Sequence, residues 1–305
     1  MSIFVNYALT AGLGGGAART DKIIEQHVSG PGALMSSGKV AIVTVNDVIF
    51  GTEDEGTAGW IIQQLDHARD DSKVKAILLD VDSPGGGVTA SDIIHRKILE
   101  VQDDGKAVVV LMRDIAASGG YYISAPADYI VAQPTTITGS IGVMMGGFNV
   151  DGLFQKIGLE FVVYKSGPYK DILSPYRPAT EEEKQMIQGI VDSMMSRFKE
   201  IVGDGRGLSP EEVDALATGA VYTADDALDR KLIDAIGYYE DAVEQAKSLT
   251  RIRATDDIEV VKYNRPPTLA DVLFGAKAPS RGVEERLLEL IDARRPGFYY
   301  IWPGP

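Results

Sequence analysis

One serine stands among small residues in the segment AASGGYY, residues 116–122, directly after an apolar run. Alanine and glycine on either side of Ser118 leave room for an approaching carbonyl group, and the N–H of Gly119 would lie beside its oxygen. This pattern is typical of a nucleophilic serine that attacks an acyl carbon. A serine that only caps the following helix is about as frequent in general, but capping needs no small residues on both sides. We therefore predict that Ser118 is a nucleophile.

A second glycine-rich turn, DSPGGG at residues 82–87, also follows an apolar run. Glycines allow backbone N–H groups to point at one spot without side chains between them, as an oxyanion hole or an anion site requires. A phosphate-binding loop is the alternative, but no Lys-Ser or Lys-Thr pair follows, as a Walker motif would have. The turn alone is a moderate signal for carbonyl chemistry.

A serine nucleophile needs a base, and the histidines of this chain are weak candidates. His27, His67 and His95 all precede Ser118. The second and third stand in helical segments among polar neighbours and have the character of surface or boundary residues. A histidine-based triad is therefore poorly supported, and His95 is the one histidine that stays open as a rival base.

A lysine can act as the base where burial lowers the pKa of its ammonium from about 10.4 towards neutrality. The candidate is Lys170 in the motif YKSGPYKD, residues 164–171, where aromatic residues and a proline crowd it; Lys165 is its competitor. By default either lysine is a solvated surface charge. A third turn, TGSIG at residues 138–142, holds Ser140, which could orient a neutral lysine or serve only as a turn hydroxyl.

These turns lie between segments whose pattern alternates between strand and helix. Buried strands alternating with amphipathic helices predict βαβ units and a mostly parallel sheet, whose strand ends are where α/β proteins bind ligands. We predict strands at residues 39–50, 74–81 and 107–112, and helices at 60–68 and 89–101. The longest helix is predicted at 181–202, where Met186, Ile190, Met194 and Phe198 step by four. We interpret that stripe as a packing or oligomer face.

Composition excludes several classes of function. The 305 residues hold 30 Lys and Arg against 44 Asp and Glu, a net charge of −14 that would repel a nucleic-acid backbone. Without cysteine, the chain has no disulfide, no thiolate metal site and no cysteine nucleophile. We see no apolar run of about 18 residues and no basic flank of a signal peptide, so no anchor is predicted and the compartment stays open.

From about residue 39 to residue 246 the chain resembles the signal peptide peptidase A, or protease IV, family of serine peptidases. The resemblance rests on the order and spacing of DSPGGGVTAS, AASGGYYIS, TGSIGV, KSGPYKD and VYTADDAL. It implies a ClpP/crotonase-like α/β fold. We expect a flexible leader at residues 1–38, a peptidase domain at 39–250 and a C-terminal extension with an aromatic tail at 251–305.

The resemblance also assigns roles to single residues. It implies a Ser–Lys dyad of Ser118 and Lys170, with Ser140 positioning the lysine. The implied oxyanion hole consists of the N–H groups of Gly86 and Gly119, with Gly85 shaping the turn. The implied binding site for an extended substrate is lined by Gly87, Val88, Met144, Met145 and Gly146.

As a member of this family the chain would be an endopeptidase that degrades cleaved signal peptides or other unfolded hydrophobic peptides through an acyl-enzyme. No metal or cofactor is implied. Short members are similar in forming homo-oligomers in which the dyad assembles between subunits, so Ser118 would meet Lys170 of a neighbour. Family members usually carry a membrane anchor, so membrane association is expected only by analogy.

Other readings of the residues stay open. A crotonase-like acyl-CoA enzyme shares the fold and the glycine turns, but it usually needs acidic residues where the turn here holds Ser118. A ClpP-like, stomatin-associated Ser–Lys protease shares the chemistry but not the KSGPYKD motif. An inactive peptide-binding scaffold would not need Ser118, Lys170 and Ser140 together. The aromatic end PGFYYIWPGP could dock in the substrate cleft of its own or a neighbouring subunit.

Overall fold

The computed structural model of the chain describes residues 23–252, 257–266 and 299–302. The strands are β1 (Ile24–Ser29), β2 (Gly38–Asn46), β3 (Val74–Ser83), β4 (Gly85–Gly87), β5 (Ala107–Ala117), β6 (Tyr129–Ala132), β7 (Ile137–Gly139), β8 (Val221–Thr223), β9 (Ala235–Ile236), β10 (Ile258–Asn264) and β11 (Tyr299–Ile301). The helices are α1 (Gly56–Asp70), α2 (Val88–Asp103), α3 (Gly119–Ser124), α4 (Asp151–Ile157), α5 (Glu181–Arg206), α6 (Pro210–Leu216), α7 (Ala224–Asp229) and α8 (Tyr239–Leu249).

The centre of the molecule is a mostly parallel sheet whose main path runs β1-β10-β2-β3-β5-β6-β9. Strands β2, β3 and β5 pair in parallel, and nearly all of their residues are buried because both faces of the sheet are covered. Helix α1 connects β2 to β3 and helix α2 leads to β5, which gives two crossover units. The predicted α/β fold with a mostly parallel sheet is confirmed.

Two strands of this sheet lie outside the predicted peptidase domain. Strand β10 pairs in parallel with β2, and β1 pairs antiparallel with β10. Residues 24–29 therefore form a strand where a flexible leader was expected, and part of the predicted extension lies inside the sheet. The division of the chain into three parts stays a prediction.

The apolar core has one layer on each face of the sheet. On one face α1, α2, α3 and α5 cover residues such as Val43, Leu79 and Val110. On the other face α8 places Ala242 and Ala246 against residues that include Leu78. Each fully buried Val, Leu or Ile side chain contributes about 1.5–3 kcal/mol to stability, so this core holds the strand ends rigidly where the turns emerge.

Helix α5 is held at its start by a capping box in which Thr180 and Glu183 bind each other's backbone N–H groups. Its two halves differ in environment: Met186 and Ile190 are exposed, whereas Phe198 is fully buried. The apolar stripe predicted for this helix is thus exposed in its first half and buried in the core at Phe198. Within the described ranges, none of the helices combines the length and the apolar character that a membrane span needs.

Candidate active site

Ser118 lies at the junction between β5 and α3, in a backbone conformation that a serine rarely adopts. Its φ is 54° and its ψ is −113°, and the residue is only 1% exposed. Its N–H donates to the Gly139 carbonyl at 2.8 Å, and its carbonyl accepts from the Tyr122 N–H at 2.8 Å. A positive φ at a non-glycine residue costs energy and is found most often at functional sites. The turn therefore holds the serine firmly in one orientation.

The glycines beside Ser118 are required by close packing. A Cβ at Gly119 would lie 2.6 Å from Ser91 Oγ, and one at Gly120 would lie 2.7 Å from the Ser83 carbonyl oxygen. Both distances are too short for carbon. The small residues of AASGG therefore allow the turn to approach β3 and the start of α2.

Ser140 follows the strand that pairs with the strand before Ser118. Strand β7 pairs in parallel with β5, Ala117 standing opposite Gly139, so the next residue pair is Ser118 and Ser140. Neighbouring strands are about 4.8 Å apart. Ser140 also has a positive φ, 49°, and its N–H donates to the Ala220 carbonyl at 2.7 Å. The sheet register thus places the two serines directly after neighbouring strand ends.

The glycine turn of β4 presents one N–H group to the site. Gly85 accepts from the Ile49 N–H and Gly87 donates to the Ile49 carbonyl, both at 2.8 Å. Because successive backbone groups of a strand point in opposite directions, the N–H of Gly86 faces away from Ile49. Gly85 itself has a φ of 99°, which favours glycine.

Strand β11 lies on the open side of this turn. It pairs antiparallel with β4 so that Tyr300 stands opposite Gly86, and the Trp302 N–H donates to the Pro84 carbonyl at 2.8 Å. Alternate residue pairs of an antiparallel ladder exchange N–H···O bonds. The bonded pair after Trp302 and Pro84 is therefore Tyr300 and Gly86, which directs the Gly86 N–H at the Tyr300 carbonyl oxygen.

The same oxygen also lies close to the turn that carries Ser118. A Cβ built on Gly119 would be 3.0 Å from the Tyr300 carbonyl oxygen and 3.0 Å from the Gly86 nitrogen. A Cβ on Gly85 would be 2.1 Å from that oxygen and 2.5 Å from the Gly119 nitrogen. The three predicted oxyanion-hole glycines thus surround a peptide carbonyl oxygen.

Met144 also pairs with β11, through Tyr299. Tyr299 and Met144 exchange two backbone hydrogen bonds, each 3.1 Å long. Of the predicted substrate-binding residues, Gly87 and Met144 flank the strand directly. Val88 begins α2, and Met145 and Gly146 follow Met144 in the chain.

The two candidate lysines have different surroundings, both in the loop between α4 and α5. Lys165 Nζ donates to Asp171 Oδ1 at 2.7 Å and to the Pro168 carbonyl at 3.0 Å. Lys170 is exposed, and among the described residues its Nζ has neither an ion pair nor a hydrogen bond to Ser118. Lys165 is thus engaged in an ion pair, and one chain alone does not bring Lys170 to the serine.

An arginine holds this loop onto α5. Arg177 binds Asp171 at 2.8 Å and Glu183 at 2.5 Å. The hydrogen bonds from Arg177 lower the pKa of Glu183 to about 2 and also lower the pKa of Asp171. Both carboxylates are therefore charged at neutral pH, and the loop that carries Lys170 is fastened at its C-terminal side.

None of the three histidines has a hydrogen bond to Ser118 in the described chain. His95 is buried, and burial lowers its pKa to about 4, which makes it a weak base. Its ring meets Tyr122 edge-on at 5.5 Å between centroids, and its Nδ1 has no hydrogen-bond partner in the described chain. His67 packs on Tyr263, and His27 contacts Glu259.

A pocket of aromatic rings next to Ser118 was not predicted from the sequence. Tyr122 follows the serine on α3, and Phe198 comes from α5; their ring centroids are 4.9 Å apart. The Tyr300 ring lies against both. The available signal was the motif SGGYY, which places Tyr122 one helical turn after Ser118, but nothing in the sequence joined it to α5. In the described part of the chain, no cluster of His, Asp or Glu is arranged to hold a metal ion.

The chain is similar to several known proteins. Residues 100–253 match the model of peptidase family S49. The chain is 37% identical to a protein of Enterococcus faecium named as a signal peptide peptidase SppA, over 87% of this chain and 82% of that protein. It is 37% identical to Protease 4 of Salmonella typhi, over 86% of this chain and 42% of that protein. Among solved structures, a mutant ClpP1 from Listeria monocytogenes matches with a TM-score of 0.45 and 19% identity, over 66% of this chain and 93% of that chain.

Proposed function

The chain belongs to peptidase family S49 and is a serine peptidase of the SppA type, and on this premise we propose that Ser118 and Lys170 form the catalytic dyad of an endopeptidase. The observation that carries the proposal is the position of Ser118. Its strained turn stands beside Gly86 and Gly119, and the peptide carbonyl oxygen of Tyr300 lies close to both glycines. A nucleophile next to two convergent N–H donors is the arrangement that acyl transfer requires.

The proposed reaction has two halves. Ser118 Oγ bonds to the carbonyl carbon of the scissile peptide while its proton passes to the neutral amine of Lys170, and the Gly86 and Gly119 amides stabilise the oxyanion. The proton is then delivered to the leaving amine, which leaves an acyl-enzyme on Ser118. Water hydrolyses the ester and restores the serine. Ser140, next to Ser118 in the sheet register, would hold the lysine by a hydrogen bond.

We propose that Lys170 acts on Ser118 of a neighbouring subunit. Within the described chain Lys170 does not reach Ser118, and it has no acidic partner. The segment before it exposes a run of apolar side chains that includes Phe161, Val162 and Tyr164, and exposed apolar patches mark interaction surfaces. Burial in such an interface disfavours a charged ammonium and so favours the neutral amine.

The substrates that we propose are hydrophobic peptides bound in extended form, such as signal peptides after their removal or segments of unfolded proteins. The edges at Gly86 and Met144 support this, because each forms backbone hydrogen bonds with an added strand. Backbone recognition of this kind needs an extended chain, which a folded substrate does not offer. The name of the Enterococcus faecium relative points to the same class of substrate.

The test is hydrolysis of a fluorogenic hydrophobic peptide by wild type, Ser118→Ala, Lys170→Ala and a mixture of the two variants. We expect both single variants to lose turnover by at least about a thousandfold. The mixture should regain part of the activity if subunits exchange, because some interfaces then combine an intact serine with an intact lysine.

Lys165→Ala is the matched control, because it removes a lysine from the same loop and should keep turnover within about tenfold of wild type. A fluorophosphonate probe should label Ser118 in wild type; an acyl-CoA enzyme or an inactive scaffold should not react. Full activity of Ser118→Ala would refute the proposal. If both single variants lose turnover and the mixture does not regain it, the dyad stands but lies within one chain or in oligomers whose subunits do not exchange.

A further inference from the structure

Ser91 is a buried serine to which the proposed reaction gives no part. It is the last residue of the motif DSPGGGVTAS, residues 82–91, and it lies near the start of α2. The residue is 0% exposed, and its Oγ has no hydrogen-bond partner in the described chain. A buried hydroxyl group without a partner destabilises a folded protein. The resting protein therefore gains nothing from this hydroxyl.

Two other serines that are equally buried do have partners. Ser83 Oγ donates to the Asp47 carbonyl at 2.6 Å. Ser124 Oγ donates to the Gly120 carbonyl at 2.7 Å. Both residues are 0% exposed, as Ser91 is. Burial alone thus does not leave a serine unpaired in this protein, and the reason must lie in the position of Ser91.

That position borders the oxyanion hole predicted from the sequence. A Cβ built on Gly119 would lie 2.6 Å from Ser91 Oγ, and it would lie 3.0 Å from both the Gly86 nitrogen and the Tyr300 carbonyl oxygen. Because glycine has no Cβ, these three polar atoms surround a gap that no side chain of residue 119 fills. The Ser91 hydroxyl therefore lies at the same gap as a backbone nitrogen and a peptide carbonyl oxygen.

The start of α2 favours negative charge at the same place. The helix has 16 residues, and no acidic residue stands in its first turn. The N-terminus of a helix carries a partial positive charge, which no carboxylate of that turn neutralises here. A negative charge that develops on an oxygen beside Ser91 would be stabilised by the hydroxyl and by the helix together.

We propose that the Ser91 hydroxyl is a third donor of the oxyanion hole, which forms its hydrogen bond when negative charge develops on the scissile carbonyl oxygen. The proposal rests on the proposed function, because it adds a catalytic residue to the same reaction. Ser91 donates a hydrogen bond and keeps its proton, so the two halves of the reaction stay as they are.

The physical argument is that this hydrogen bond is absent before the reaction. The uncharged Tyr300 carbonyl at the gap does not bind Ser91. When a serine attacks a carbonyl, the C–O bond lengthens and the oxygen becomes an anion, to which a hydroxyl can turn its freely rotating hydrogen. A donor that is unpaired in the ground state and paired in the transition state raises kcat without tightening substrate binding.

The first experiment compares kcat and KM of wild type, Ser91→Ala and Ser124→Ala on the fluorogenic hydrophobic peptide. We expect Ser91→Ala to lower kcat about a hundredfold and to leave KM within about twofold of wild type. Ser124→Ala is the matched control, because it removes a hydroxyl that is equally buried but already paired; its kcat should stay within about threefold of wild type. If Ser91→Ala loses no more kcat than Ser124→Ala, the proposal is overturned.

The second experiment uses a peptide aldehyde of the same sequence, which forms a tetrahedral adduct with Ser118 Oγ. The matching peptide alcohol cannot form the adduct and reports on binding alone. Ser91→Ala should weaken inhibition by the aldehyde by about the factor that it takes from kcat/KM, because both quantities measure the tetrahedral state. The alcohol should inhibit wild type and variant equally. Equal inhibition of both proteins by the aldehyde would refute contact between the Ser91 hydroxyl and the oxyanion.

Thermal unfolding distinguishes this role from a structural one. Ser91→Ala should raise the melting temperature by about 2 °C, because it removes a hydroxyl that has no partner in the resting protein. Ser124→Ala should lower it by about as much, because it breaks a buried hydrogen bond. A melting temperature of Ser91→Ala that falls as far as that of Ser124→Ala would show that the hydroxyl is already bound, and it would overturn the proposal.

Failure of this proposal can be told apart from failure of the proposed function. If wild type neither cleaves the peptide nor reacts with the fluorophosphonate probe, the proposed function fails and the role of Ser91 fails with it. If wild type cleaves the peptide, Ser118→Ala does not and Ser91→Ala keeps the wild-type kcat, the proposed function stands and only the role of Ser91 is refuted.

Discussion

The buried His95 beside the aromatic pocket makes the stability of this protein sensitive to mild acid. Burial is the main cause that lowers the pKa of His95 from 6.5 to about 4; Asp92 opposes the shift and Arg197 adds to it. Above pH 6.5 the imidazole is neutral in both the folded and the unfolded chain, so it does not change the free energy of unfolding. As the pH falls through 6.5 the unfolded chain binds a proton that the folded chain refuses, so stability decreases until about pH 4.

The size of this effect follows from the shift in pKa. One pKa unit corresponds to about 1.4 kcal/mol, so at pH 4.5 the histidine should cost roughly 2.5 kcal/mol of the free energy of unfolding relative to neutral pH. That is a large fraction of the stability of a typical domain, about 5–15 kcal/mol. Because His95 packs on Tyr122, its protonation should also loosen the pocket wall before the molecule unfolds.

The assay is urea unfolding at fixed protein concentration between pH 7.5 and 4.5 for wild type, His95→Leu and His67→Leu. The wild type should lose about 2.5 kcal/mol more than His95→Leu over this range, since the leucine cannot bind a proton. His67 is an exposed histidine of α1 and controls for the removal of an imidazole. A difference between wild type and His95→Leu that stays constant with pH would refute the reasoning.

Two further predictions concern the turn and the loop of the site. Gly86→Ala would place a Cβ 1.8 Å from the Ile49 carbonyl oxygen, so we expect peptide hydrolysis to fall at least about a hundredfold. Gly32→Ala is the control, because a Cβ there meets nothing within 4 Å, and it should match wild type. Equal rates for Gly86→Ala and Gly32→Ala would contradict the role of the turn. Arg177→Ala should free the loop that carries Lys170 and lower kcat roughly tenfold; it should also lower the melting temperature, because it leaves the buried Glu183 carboxylate without its ionic partner. Lys184→Ala is the control, because it removes an exposed ion pair at the start of α5. An equal kcat in Arg177→Ala and Lys184→Ala would contradict the role of Arg177.

Much of the site was predictable because its parts are encoded locally. Apolar runs of β-branched residues alternate with helical periodicity, so the strands β2, β3 and β5 could be placed and their parallel arrangement inferred. The small residues around Ser118 and the glycines of β4 indicate that backbone segments approach each other closely. The structure shows such approaches at Gly86 and Gly119. Such signals lie within a few residues of the chemistry that they serve.

What the sequence could not decide were contacts between distant segments. Which lysine is free depends on the ion pair between Lys165 and Asp171, and local spacing alone does not reveal that pairing.

The aromatic pocket joins α3 to α5 and to β11, and nothing in the pattern of the long helix distinguished the buried Phe198 from the exposed Met186. Strands β1 and β10 likewise gain their place only by pairing across the length of the chain.

The physical reason is that amino-acid pattern determines which residues must be buried, whereas packing and strand register determine which residues meet. The sequence by itself therefore determined the fold class and the candidate nucleophile. Only the tertiary structure decided that Ser140 stands beside Ser118, and that Tyr300 lies in the pocket with its carbonyl among the glycines.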